Sequence, residues 1–231
     1  LKKNAYIGIS FIILVFGIWF VPKIVDKVQN RSWVESDRMS NKPLAYIKLN
    51  GDPKKAPEFV LTNQDNLPIS NEDYKGKVYV VEFFFTTCPT ICPKMNQNMK
   101  RLEQAFGHRD DFGIASVTID PQTDTPEQLK RYAESYEVFS PNWHFLTGSQ
   151  DYIYGLANTG FNIFAGINPK VAGGFEHQGY FALIDKNGYL RSRTDAYGNP
   201  IVYYLGIDEE GVPEQGTDML LTDIKKLLED E

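Results

Sequence analysis

The sequence predicts an α/β domain: a mixed central sheet with helices on both faces. Three observations predict it. Residues 78–85 (VYVVEFFF) form a nearly continuous run of β-branched and aromatic side chains, the pattern of a strand buried on both faces. Helical and strand patterns alternate after that run. Two turn signals, Asn63-Gln64-Asp65-Asn66 and Asp185-Lys186-Asn187-Gly188, frame the alternation as hairpins. At 231 residues the chain suits one domain and an appendage. Hydrophobic residues at 42% and charged residues at 23% exclude a disordered chain.

The appendage comes first. Residues 5–21 (AYIGISFIILVFGIWFV) carry no charge and span about 25 Å as a helix, against about 30 Å of bilayer hydrocarbon. Tyr6 and Trp19 stand near its ends, where aromatic rings prefer the interface. The bulky Trp19-Phe20-Val21-Pro22-Lys23 offers no small-residue cleavage site, and no cysteine lies nearby to carry a lipid. The expectation is an uncleaved single-span anchor over residues 1–22, a polar stalk over 23–43 and a folded domain over 44–231. A fragment starting near Lys42 is then expected to be soluble.

Within the domain, Pro57 to Leu61 opens the first hairpin, an extension ahead of the buried strand. Met95, Met99, Leu102 and Phe106 then recur at helical spacing. Ile114 to Ile119 is the next strand. Thr125-Pro126-Glu127-Gln128 is a capping box with proline at the first helical position. Trp143 to Leu146 is a strand, and Ser149 caps a helix running to about Asn158. Phe181 to Ile184 and Leu190 to Arg193 flank the second turn, and Met219 to Leu228 closes the chain as an amphipathic helix. This is the element order of a thioredoxin-like fold with an amino-terminal β-hairpin extension. Residues 160–176 and 196–216 read as loops available for docking.

Charge narrows the partners. Of 24 basic and 30 acidic residues, only Lys2 and Lys3 precede Lys23, so the domain is the more acidic part. Nucleic acid is excluded as an expected partner, because phosphate binding needs clustered Lys and Arg.

The chemistry concentrates in Cys88-Pro89-Thr90-Ile91-Cys92-Pro93, directly after the central strand. Pro93 suits a first helical turn, which places Cys92 at a helix amino terminus, where free N–H groups favour a thiolate. Two soft thiolates one turn apart chelate a metal ion or close into a disulfide. A purely stabilising disulfide has little motive, since so short a loop restricts the unfolded chain little. Two thiolates suit copper(I), and a third ligand would hold it better. Three histidines are available. His108 lies in a polar loop and His144 within a strand. His177 follows the glycine-rich Gly173-Gly174-Phe175-Glu176; the residues alone leave its role open. Met95 and Met99 read as core.

The stretches KGKVYVVEFFFTTCPTICPKM, VTIDPQTDTPEQL and EHQGYFALIDKNGYL, in this order, resemble the Sco/SenC family. The resemblance runs from about Pro57 to the carboxyl terminus. It implies a membrane-anchored, thioredoxin-fold copper protein with Cys88, Cys92 and His177 as ligands. It further implies a single-pass protein whose domain faces the periplasm or the mitochondrial intermembrane space. The implied partners are the copper-site subunit of cytochrome c oxidase and other copper carriers or thiol reductants. Thr90, Glu176 and Thr123 depart from the family pattern, which commonly has an acid, Asp and a basic residue there. Asp120 and Asp124 match a family acid pair; Asp124 is read either as a helix cap or as a docking acid.

Two functions compete. One is a metallochaperone, not an enzyme in the strict sense, which delivers copper to the binuclear site of the oxidase or reduces that site's cysteines. The other is a thiol–disulfide oxidoreductase in which Cys88 attacks and Cys92 resolves. A peroxidase needs an arginine behind its cysteine, and Arg101 is a candidate for that place.

Overall fold

A computed structural model of the chain describes residues 10, 13–21, 43–195, 197–212 and 214–230. Contacts divide it into two units between Pro43 and Leu44. In the first unit Ser10 and residues 13–21 are helical, with exposed apolar side chains that include Leu14, Phe16, Ile18 and Trp19. Among the described residues no helix is long and apolar enough to cross a membrane. Residues 1–9, 11, 12 and 22 of the expected anchor, and 23–42 of the expected stalk, lie outside the described residues.

The second unit runs β1 (Ala45–Tyr46), β2 (Lys48–Leu49), β3 (Asp52–Pro53), β4 (Val60–Asn63), β5 (Pro68–Ser70), a 3₁₀ turn (Asn71–Tyr74), β6 (Val78–Phe84) and α1 (Cys92–Phe106). It continues with β7 (Phe112–Thr118), α2 (Pro126–Ser135), β8 (Trp143–Thr147), α3 (Gln150–Gly155) and a π-helical turn (Leu156–Phe161). The last elements are β9 (Ala165–Ile167), β10 (Phe175–His177), β11 (Tyr180–Ile184), β12 (Leu190–Ser192), β13 (Tyr204–Leu205) and α4 (Gly216–Asp230).

The main sheet has the order β1-β12-β11-β6-β7-β8-β4-β5, with β13 beside β11. β6, β7 and β8 are parallel, whereas β11 and β4 join antiparallel on either side. All seven residues of β6 are buried, as the sequence run predicts. Successive strand residues point to opposite faces. Phe83 meets Phe161 of the π-helical turn, rings 5.8 Å apart, and Phe84 meets Tyr132 of α2 at 5.5 Å. Helical segments therefore cover both faces. Each such fully buried aromatic contributes roughly 1.5–3 kcal/mol by leaving water.

The local signals act through identifiable bonds. Asn63 Oδ1 accepts from the amides of Asp65 and Leu67, closing the β4–β5 turn. Thr125 Oγ accepts from Gln128 N, and Pro126 opens α2. Asp185 Oδ1 accepts from Asn187 N and Tyr189 N, while Gly188 takes the left-handed φ of +83° that this turn requires. Two expectations change. The helix after Ser149 widens into a π turn and stops at Asn162, whose φ is +58°. The segments read as loops also carry strands: β9 and the start of β10 fall within residues 160–176, and β13 within 196–216. The Asn158 side chain flanks β9 like a further strand: its Nδ2 donates to Ala165 O and its Oδ1 accepts from Ala165 N. A side-chain amide in a strand's role leaves no periodic trace in sequence.

One acid sits inside the sheet. Glu82 of β6 has no exposed surface; its Oε1 accepts from Ser116 Oγ at 2.6 Å, and that Oγ accepts from Trp143 Nε1 at 2.9 Å. Its Oε2 has no partner among the described residues. Burial pushes the carboxyl up from 4.5 to about 7, against the lowering effect of Ser116. The folded state then holds a proton that the unfolded chain has released, so stability is full below about pH 4.5 and falls as pH rises towards 7. Relative to Glu82→Gln, the native chain should lose about 3 kcal/mol between pH 4.5 and pH 8. Urea unfolding of both chains at these pH values checks this; parallel pH profiles would show that Glu82 ionises normally.

Candidate metal centre

The end of β6 decides where the cysteines lie. Its last residue is Phe84, and a turn follows in which Cys88 N donates to Phe85 O at 3.3 Å. α1 begins at Cys92 with Pro93 in its first turn, as the sequence predicts. The amide of Cys92 points at Cys88 Sγ, 3.5 Å away, so a free N–H of the helix start faces the first sulfur.

The third group arrives from far along the chain. His177 ends β10 and pairs with Ala165 of β9. Its Nδ1 donates to Gln178 O at 3.2 Å, which turns Nε2 towards the sulfurs. That Nε2 stands 3.1 Å from Cys92 Sγ. The donor atoms of Cys88, Cys92 and His177 all lie within 4.8 Å of one another, and all three residues are buried. Phe85 fixes the imidazole from the side, rings T-shaped at 5.9 Å, and packs tilted against Phe175 at 5.3 Å. Gly173 permits this packing. Its φ is +88°, and a Cβ there would come within 2.9 Å of the Phe85 ring.

The two sulfurs differ. Cys88 is pulled down to about 3, first by the hydrogen bond with Cys92 and further by His177 and the amides of Cys92 and Thr90, with burial opposing. Burial foremost, and then the charge on Cys88, push Cys92 up. Cys88 therefore holds the thiolate and Cys92 the proton. Cys88 keeps 7% of its surface exposed and Cys92 none. A cleft of about 190 Å³ opens on Cys88 and His177, walled by Phe85, Ile91, Val171 and Phe175.

The other sequence candidates lie elsewhere. His108 is exposed in the turn after α1. His144 on β8 faces Asn63 and the Tyr74 ring, with its pKa lowered by burial. Met95 and Met99 are fully buried in the core. Arg101 pairs with Asp218 and donates to Asn98, so it is engaged away from the sulfurs. Of the departures from the family pattern, Thr90 places its hydroxyl 3.6 Å from Cys88 Sγ. Glu176 is exposed and accepts from Asn168, and Thr123 is exposed. Sequence reasoning missed Phe85 and Phe175 as walls of the site. The only trace of that packing was the paired glycines before Phe175.

With this geometry established, comparison with known proteins places the chain. It matches the SCO1/SenC family over residues 48–208. It is 37% identical over 132 residues to the SCO1 protein homolog of Bacillus subtilis strain 168, covering 56% of this chain and 68% of that relative. A SCO1/SenC family lipoprotein from Bacillus anthracis str. Ames aligns with a TM-score of 0.64 at 31% identity, over 82% of this chain and 99% of that one. BsSco, described with a disulfide switch and as a member of the Sco family of cytochrome c oxidase assembly proteins, aligns with a TM-score of 0.63 at 29% identity, over 82% and 100%. The chain belongs to the SCO1/SenC family.

Proposed function

We propose that the chain is a copper-binding metallochaperone of cytochrome c oxidase assembly, with Cys88, Cys92 and His177 as its copper ligands. The observation that carries this reading is the convergence of two sulfurs and one imidazole nitrogen from residues 85 positions apart. The donor set fits the ion: soft sulfur and imidazole suit copper, and three donors each about 2.2 Å from one ion stand roughly 3.8 Å apart. No pair of donor atoms here exceeds 4.8 Å, and Cys92 Sγ and His177 Nε2 stand 3.1 Å apart, so shifts of about 1 Å or less bring the three to that spacing.

Copper is cargo in this account, held as a soft ion by sulfur. The Cys88 thiolate is ready without losing a proton, His177 turns its Nε2 towards the sulfurs, and Cys92 gives up its proton on binding. Exposure separates the two sulfurs for transfer. A partner's thiolate meets Cys88 and His177 through the cleft, and Cys92 last. The partner we assign is the copper-site subunit of the oxidase, with other copper carriers or thiol reductants loading and reducing the site. Residues 5–21 anchor the chain in this proposal, and the domain faces the periplasm or the intermembrane space. Their charge-free run supports the anchor.

A second reading is favoured by the asymmetry of the sulfurs. The Cys88 thiolate attacks a partner disulfide and forms a mixed disulfide, expelling one partner thiolate. Cys92, deprotonated as it attacks, displaces the second. The partner disulfide gains two electrons and Cys88–Cys92 becomes the disulfide. The two functions are compatible, because copper loading requires the dithiol.

The test is copper(I) titration of the reduced and the oxidised protein. The reduced form should bind near one equivalent and the oxidised form none, since a disulfide offers no thiolate. Tight binding to the oxidised form would place the ligands elsewhere. His177→Ala should weaken copper(I) modestly. Its effect on copper(II) should be at least the 10–100-fold that loss of a group orienting a ligand costs. His144→Ala should lower thermal stability and leave copper(II) absorption unchanged; the reverse pattern would exchange the two assignments. Alkylation checks the thiolate. Between pH 5 and pH 8 the Cys88 rate should be nearly flat, because the thiol is pulled down to about 3. A tenfold rise per pH unit would mark an ordinary thiol.

A further inference from the structure

Asp124 lies between β7 and α2, and its sequence readings were a helix cap and a docking acid. The structure gives the cap to Thr125 and leaves Asp124 with no exposed surface. Its carboxylate instead gathers three donors. Thr86 N donates to Oδ2 at 3.0 Å, the Thr86 hydroxyl donates to Oδ1, and the Thr118 hydroxyl donates to Oδ2 at 2.5 Å. Gln128 Nε2, from the first turn of α2, donates to Thr86 Oγ at 3.3 Å.

The placement of these donors gives the bracket its meaning. Thr118 is the last residue of β7, and Thr86 stands two residues past the end of β6 and two before Cys88. The ladder has ended at Thr86, so its amide needs another partner, and Asp124 supplies one. A carboxylate held out of water is costly unless its lone pairs are filled, and here both oxygens are engaged. A cap or a surface acid would need none of this.

We propose that Asp124 is a positioning residue for the dithiol: it clamps the turn from Phe85 to Cys88 onto the end of β7 and so sets where Cys88 Sγ stands relative to Cys92 and His177. The inference rests on the proposed copper site for one of its two readouts.

The test uses the full chain with two variants. Asp124→Asn keeps the shape and loses the charge and one acceptor; Thr86→Val removes the hydroxyl and keeps every ligand. Amide hydrogen exchange is followed on the reduced, metal-free protein at a temperature where near-ultraviolet circular dichroism shows each variant folded. Copper(II) is titrated in parallel. Exchange at residues 86–88 should rise about tenfold or more, as loss of a charge-assisted hydrogen bond implies, while β7 and β8 keep their protection. Copper(II) affinity should fall about 10–100-fold with a changed absorption spectrum. Wild-type protection at 86–88 in both folded variants, or exchange that rises evenly through the domain, would overturn the proposal. Should the native chain bind no copper, the copper site fails, and the exchange pattern still decides the role of Asp124.

Discussion

Strand β6 is buried along its whole length, paired with β7 on one side and β11 on the other. That pairing places every part of the candidate site. Because β6 ends deep in the sheet, the chain must turn at once, and the turn carries Cys88 to the mouth of the domain. Because α1 starts four residues later, its first amide faces Cys88 Sγ, and Cys92 is sealed in the core. Because β11 lies antiparallel to β6, the segment leading into it passes the same end of the sheet, and His177 closes the triad from there. A cysteine pair on a surface loop would have neither the helix start nor the imidazole.

Burial then separates the two sulfurs chemically. The same hydrogen bond that stabilises charge on Cys88 keeps the proton on Cys92. Cys88, which borders the cleft, is thus the reactive sulfur, and the fully buried Cys92 the retaining one. Both proposed activities use that order, copper transfer entering at Cys88 and thiol exchange starting there. Of the apolar walls of the cleft, Phe85 holds the imidazole in place from the side and Phe175 backs Phe85.

Much of this was legible in the sequence because short-range physics wrote it there. The apolar run marked β6, Pro93 marked the start of α1, and Asp185-Lys186-Asn187-Gly188 marked its turn. His177 could be named only through the family resemblance, since a histidine after two glycines has no local signature of a ligand. The β9–β10 pair stayed hidden because three-residue strands show no alternation and one of their neighbours is the Asn158 side chain. Asp124 was visible as an acid and illegible as a clamp. Its partners are Thr118 at the end of β7 and Thr86 in the turn past β6, and only the parallel register of β6 on β7 brings them to one carboxylate.

The central claim is that two sulfurs and one imidazole hold a single copper ion. X-ray absorption at the copper edge on the reduced, copper-loaded protein measures the ligand shell directly. The account predicts two sulfur scatterers and one nitrogen, with the nitrogen lost in His177→Ala. A shell of nitrogen and oxygen without sulfur, or a nitrogen that survives the loss of His177, would contradict it.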